Sequence, residues 1–117
     1  MQKTLNIVVN PLDATKRSQL IQFNGDFDKA GYGEVRDELN GAVKSFVGAS
    51  LVFDFTNLKF INSEGIGYLM EVHTHLVKQN KKLVIVGVNE HVKDVFETIG
   101  ISEVIPLYPT LDAFLKA

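Results

Sequence analysis

The stretch Asp54-Phe55-Thr56-Asn57-Leu58-Lys59-Phe60-Ile61-Asn62-Ser63-Glu64-Gly65-Ile66-Gly67 contains the change of period that decides the fold. Just before and into it, Leu51 to Phe55 is short, apolar and rich in β-branched or aromatic residues, as in a strand covered on both faces. From Ile66 onward the apolar residues Ile66, Leu69, Met70 and Val77, with Leu76 one position off, recur at helical spacing to about Gln79. Between the two lie small polar residues, Asn62 and Ser63, suited to capping the free N–H groups of a helix start. Phe60 and Ile61 are expected to bury beneath the loop that leads there.

Upstream, Leu5, Ile7 and Val9 alternate with polar residues before Pro11, the pattern of a half-buried strand. Leu20 to Phe23 supplies a second strand, close enough to pair with the first through a hairpin-like connection. Val35, Leu39, Ala42, Val43 and Phe46 then stack on one helical face, with Gly48 placed to end that helix in a left-handed cap. Downstream, Leu83 to Val88 is a further apolar strand. Val92, Val95, Phe96 and Ile99 mark a helix stopped by Gly100. Val104 to Leu107, carrying Pro106, reads as an edge strand, and Thr110 caps a closing helix with Leu111, Phe114 and Leu115.

The order β-β-α-β-α-β-α-β-α, about five strands and four helices, predicts an α/β domain with a mixed, mostly parallel sheet. Residues 1–117 allow one such domain and one core. In sheets of this kind ligands meet the carboxyl ends of the strands, which singles out two loops, Gly25 to Gly33 and Thr56 to Gly67.

Composition narrows the function classes. A net charge of −2 gives no basic stripe for nucleic-acid phosphates, and the pair Lys81 and Lys82 reads as a solvated strand end. The chain has no cysteine, so disulfides, thiol nucleophiles and zinc ribbons are excluded and packing alone must stabilise it. The opening residues Met1, Gln2, Lys3 and Thr4 lack the pattern of a secretory leader, and no apolar run reaches membrane-spanning length, so a cytoplasmic location is expected. His73 and His75, at i and i+2, point to different sides of a helix, unlike a zinc pair. His73 is expected at the flank of the buried face, with His75 and His91 in solvent. No Walker loop, dinucleotide fingerprint or hydrolase elbow is present, so neither an enzyme nor a cofactor is expected.

The segment around Ser63 resembles the signature of STAS domains, especially bacterial anti-sigma factor antagonists. Gly25-Asp26-Phe27-Asp28 resembles the turn after that family's second strand. Leu83-Val84-Ile85-Val86-Gly87-Val88 resembles its apolar penultimate strand, and Phe96-Glu97-Thr98-Ile99-Gly100-Ile101 its ending. The resemblance runs from about Ser18 to Leu115. It implies a sheet with helices mainly on one side, a non-enzymatic role, and partner exchange governed by an anti-sigma factor/serine kinase and a phosphatase. Ser63 stands where that family is phosphorylated, and Asp28, Asn62, Glu64, Gly65 and Gly67 are the expected partner contacts. Two residues depart from the pattern: the family has aspartate before the serine and a small residue after it, where this chain has Asn62 and Glu64. The rival expectation is a binding module without phosphorylation, serving as a scaffold, a small-ligand sensor or a transporter-associated unit.

Overall fold

A computed structural model describes residues 3–117; Met1 and Gln2, read above as part of a leaderless start, lie outside it. Five strands form one sheet: β1 (Leu5–Val9), β2 (Ser18–Phe27), β3 (Ser50–Ile61), β4 (Lys82–Val86) and β5 (Leu107–Tyr108). Four α-helices connect or close it: α1 (Lys29–Ser45), α2 (Ser63–Val77), α3 (Glu90–Ile99) and α4 (Leu111–Leu115). Strand order follows the chain, β1-β2-β3-β4-β5. The β1–β2 pair is antiparallel and the other three pairs are parallel, as the strand and helix rhythm predicts.

The alternation of side chains across the strands divides the interior in two. Leu51, Phe53 and Phe55 of β3 and Leu83 and Ile85 of β4 face a large core shared with α1, α2 and α3. Phe23 is the hub of this core: its ring lies 4.8 Å from Phe53 and 5.0 Å edge-on from Phe55. On the opposite face Val52, Val84 and Val86 are covered only by Leu111 and Phe114 of α4 and by Tyr108 and Leu20. Three helices therefore lie on one side of the sheet and one short helix on the other.

Several boundaries differ from the sequence reading, each for a tertiary reason. β2 and β3 are longer than Leu20–Phe23 and Leu51–Phe55, because they stay paired through two register shifts as far as Phe27 and Ile61. The expected loops Gly25–Gly33 and Thr56–Gly67 thereby shrink to the caps at Asp28 and Asn62. Ile61 is buried as expected, but Phe60 lies on the other side of the strand, 40% exposed. Gly48 does not form a left-handed cap. It is buried where a Cβ would lie 2.5 Å from the Arg17 carbonyl oxygen, and α1 ends at Phe46 in extended backbone. In α2 the buried stripe is Gly65, Tyr68, Leu69, Val72 and Leu76, with Val77 exposed. The last strand, expected at Val104–Leu107, is an edge strand but is shorter and later, β5 at Leu107–Tyr108, because a 3-10 turn at Ile101–Glu103 carries the chain past Val104. Gly100 does close α3 as expected, with φ +80°.

The free edge of β1 is tied to α1 through one carboxylate. Glu34 Oε1 accepts from Thr4 N at 2.8 Å, Thr4 Oγ1 at 2.9 Å and Leu5 N at 3.0 Å. The Leu5 backbone bond, then the Thr4 hydroxyl, hold its carboxyl below the ordinary value of 4.5. A carboxylate whose folded pKa is depressed stabilises the fold above the unfolded pKa, and that contribution is lost as pH falls through the folded value. Glu34→Gln should therefore flatten the loss of thermal stability on acidification below 4.5, in melts of wild type and variant over the acid range. Phe23→Ala should lower stability by about 3–5 kcal/mol in chemical denaturation.

Candidate functional site

All four helices begin at the carboxyl edge of the sheet, and each has a side-chain cap: Asp28, Asn62, Asn89 and Thr110. The first two stand side by side, because Phe27 pairs with Ile61 and Asn62 N donates to the Phe27 carbonyl at 3.3 Å. Asp28 Oδ1 accepts from Gly31 N at 2.8 Å. Asn62 Oδ1 accepts from Glu64 N at 3.1 Å and Gly65 N at 3.5 Å. Both helices share the pattern cap-x-x-Gly, and the reason is steric. A Cβ on Gly31 would collide with the Asp26 carbonyl oxygen, and one on Gly65 would lie 2.6 Å from the Phe27 carbonyl oxygen. Only glycine lets the first turn of each helix lean over the end of β2.

Asn62 takes the capping role, so Ser63 is free of it. Ser63 is the first residue of α2 and is exposed, as is Glu64. Its hydroxyl stands at the positive end of a helix of 15 residues, where an added anion gains about 0.3–1 kcal/mol from the dipole. Because Asn62 is neutral, the carboxylate in this first turn is Glu64. Thr56, another hydroxyl at this end of β3, is exposed, but its Oγ1 donates to Asp54 Oδ1 at 2.6 Å.

Of the residues expected at a contact surface, Asn62, Ser63 and Glu64 come together beside Asp28, which is half-buried and engaged as a cap. Gly65 is buried beneath Phe27, so its part in the site is the close approach it permits. Gly67 is different: it is exposed, and a Cβ there would meet nothing within 4 Å. It lies on the floor of a depression of about 220 Å³ lined by Tyr32, Ser63, Glu64, Gly67, Tyr68 and Glu71.

Two residues of this region, Tyr68 and Tyr32, escaped the sequence reading, and a third, Phe60, was expected to face the other way. Tyr68 is buried and its hydroxyl donates to Asn40 Oδ1 at 2.8 Å, joining α2 to α1. Burial first, then Tyr32 and Glu71, push its phenol well above the ordinary value, so it stays neutral. Tyr32 packs beside it with the rings tilted by 42° and their centroids 4.9 Å apart. Phe60, an exposed aromatic three residues before Ser63, is the third; the strand's departure from strict alternation hid which way it points. Among the histidines, His91 is exposed and His73 half-buried, whereas His75 is half-buried rather than in solvent. Among the described residues no group of three metal-ligating side chains occurs.

The sheet thus brings capped helix starts, an exposed hydroxyl and a shallow groove to one edge of an α/β domain. The chain belongs to the STAS domain family, whose model matches residues 11–114. No curated protein matches it at the sequence level. Among solved structures it is similar to an anti-sigma factor antagonist from Mycobacterium paratuberculosis, with a TM-score of 0.82, 21% identity, and coverage of 96% of this chain and 92% of that one. It is also similar to the Bacillus cell fate determinant SpoIIAA in its phosphorylated form, with a TM-score of 0.69, 15% identity, and coverage of 95% and 97%. A sulfate transporter family protein from Wolinella succinogenes gives a TM-score of 0.73 at 19% identity over 93% and 87%. At these identities the likeness is one of fold. No described helix is long and apolar enough to cross a membrane.

The division of labour between Asn62 and Ser63 is measurable. Asn62→Ala should cost about 1 kcal/mol of stability through loss of the cap. Asn62→Asp should retain the cap and gain up to ~1 kcal/mol from the dipole. Ser63→Ala should shift stability by less than ~0.5 kcal/mol. Urea denaturation of the three variants gives the ranking.

Proposed function

We propose that this domain is a phosphorylation-controlled protein-binding module of the anti-sigma factor antagonist type. Unmodified, it binds an anti-sigma factor that is also a serine kinase; phosphorylated on Ser63, it releases that partner until a phosphatase restores it. The observation that carries this reading is the exposed Ser63 at the start of α2, with the capping bonds made by its neighbour. Asp28, Asn62 and Glu64 surround the hydroxyl as the contact edge, with Gly65 and Gly67 shaping the backbone and groove behind it.

The physical basis of release lies in the transfer itself. A kinase must bring the terminal phosphate of its nucleotide into line with Ser63 Oγ. After transfer, the serine carries about −1.5 to −2 charges and faces the nucleotide's remaining phosphates across a desolvated contact. Like charges juxtaposed in an interface cost several kcal/mol, and each 1.4 kcal/mol is tenfold in affinity. The helix end meanwhile tolerates the phosphate, so the fold survives the switch. The surface changes while the scaffold stays intact.

The likeness to a sulfate transporter family protein favours a second reading, a scaffold or small-ligand-sensing module that is never phosphorylated. Intact mass after incubation with the cognate kinase and ATP separates the two. The switch reading expects a gain of one phosphate, absent in Ser63→Ala, and at least about tenfold weaker kinase binding by Ser63→Asp. An unchanged mass, or Ser63→Asp binding as tightly as wild type, rules the switch out in favour of the second reading.

A further inference from the structure

The parallel crossovers carry α1, α2 and α3 from the carboxyl edge of the sheet back to its amino edge, where each helix ends beside the start of the next strand. Hydrogen bonds draw that edge together. The Arg17 carbonyl, in the turn before β2, accepts from Ala49 N at 2.6 Å and Ser50 N at 3.2 Å, and Lys82 N donates to the Ala49 carbonyl at 3.0 Å. Cations that the sequence spreads from residue 16 to residue 82 thereby share one end of the molecule, opposite Ser63.

Five of these cations, Lys16, Arg17, Lys44, Lys78 and Lys82, are exposed, and none belongs to an ion pair among the described residues. Lys81, half-buried, donates to the Phe46 carbonyl at 2.6 Å and closes the end of α1. Among the acids at this end, Glu97 is paired with Lys93, which leaves Asp13 and Glu103 against the five cations. A helix dipole favours cations at its carboxyl end, and that alone would account for Lys44 and Lys78. It does not account for the apolar side chains among them. Of the six large apolar residues exposed among the described residues, four lie here: Val47, Val77, Ile99 and Val104. They stand just past α1, at the end of α2, at the end of α3 and after the 3-10 turn, and Val47 is 72% exposed.

We propose that this amino edge docks on an anionic lipid surface, with the basic heads at the headgroup phosphates and the exposed apolar side chains entering the interface between headgroups and acyl chains. Such a surface calls for both properties at once. Each basic residue is attracted to an anionic bilayer within about a Debye length, and a single weak anchor gives only marginal, reversible binding. Lysine stems can lie along the apolar tips while their ammonium groups stay at the phosphates. Nucleic-acid phosphates would engage the cations but leave the valines and isoleucine in water, so the apolar row favours lipid. Docked this way, β3 leads away from the bilayer, and its Ser63 end lies roughly 35 Å from the lipid at 3.3 Å per residue over Ser50–Ile61. The inference is carried by the amino edge alone and does not depend on modification of Ser63.

The test is sedimentation of the full chain with vesicles of equal parts phosphatidylglycerol and phosphatidylcholine, compared with phosphatidylcholine vesicles and with a DNA duplex. The expected result is saturable binding to the anionic vesicles, weakened by salt, and none to the other two. The chain has no tryptophan, so Val47→Trp introduces a single reporter whose emission should shift to the blue on the anionic vesicles. Lys44→Glu combined with Lys78→Glu should weaken vesicle binding at least about tenfold. Val47→Ser combined with Val77→Ser should weaken it about tenfold. These side chains are exposed, so the melting temperatures should stay near that of wild type, which separates lost docking from a lost fold. No binding to the anionic vesicles, equal binding to both kinds, binding to the duplex as tight as to the anionic vesicles, or full vesicle binding by either double variant would overturn the proposal. Ser63→Asp should bind the vesicles as wild type does, so docking and the phosphorylation switch can fail separately.

Discussion

The parallel pairing of β2 with β3, carried through to Phe27 and Ile61, is the constraint on which the rest of the molecule depends. Had the two strands parted where their apolar runs end, about four residues earlier on β2 and six on β3, loops would have separated the helix starts. Instead the pairing survives two register shifts, and α1 and α2 begin beside each other on adjacent strand ends. Backbone hydrogen bonds of the sheet thus set the spacing of the Asp28 and Asn62 caps to within one strand separation, about 4.8 Å. Gly31 and Gly65 follow from that spacing, since the helices can only leave the sheet at this angle where no Cβ intervenes.

Energetically the edge and the core are complementary. The core beneath α1, α2 and α3 is aromatic and closely packed, with Phe23, Phe27, Phe53, Phe55 and Phe96 fully buried. Such packing holds the strand ends still, so a hydroxyl on the first turn of α2 is presented from a rigid platform rather than from a mobile loop. A charge added there would fall on the surface of the edge, because the packed interior lies behind the capped helix ends. The opposite face, with three buried valines under a five-residue helix, supports the sheet.

The alternation of strand and helix periods was legible residue by residue, and so was the position of Ser63 at a helix start. What escaped the sequence reading were features that depend on partners distant in the chain. Phe60 looked buried because it sits in an apolar pair with Ile61, yet after the register shifts the end of β3 departs from strict alternation, with Leu58 and Ile61 buried and both Lys59 and Phe60 exposed. Gly48 looked like a helix terminator, but its glycine is required by the Arg17 carbonyl, thirty-one residues earlier in the chain. Tyr68 stood in the helical stripe unnoticed, since its buried hydroxyl is satisfied only through Asn40 on another helix. The repeated cap-x-x-Gly at Asp28-Lys29-Ala30-Gly31 and Asn62-Ser63-Glu64-Gly65 is the one signal in the sequence that could have announced the paired helix starts.

By itself the sequence determined the order of strands and helices and the segments around which they form, because hydrophobic period and capping chemistry are local properties, and it placed the serine at the start of α2. Only the tertiary structure decided where the strands stop, which of Asn62 and Ser63 serves as the cap, and that Gly67 borders an open groove while Gly65 is sealed. The reason is that strand ends, caps and glycine roles depend on how closely another part of the chain approaches. That distance is set by sheet pairing and helix packing between residues that are not neighbours in the sequence.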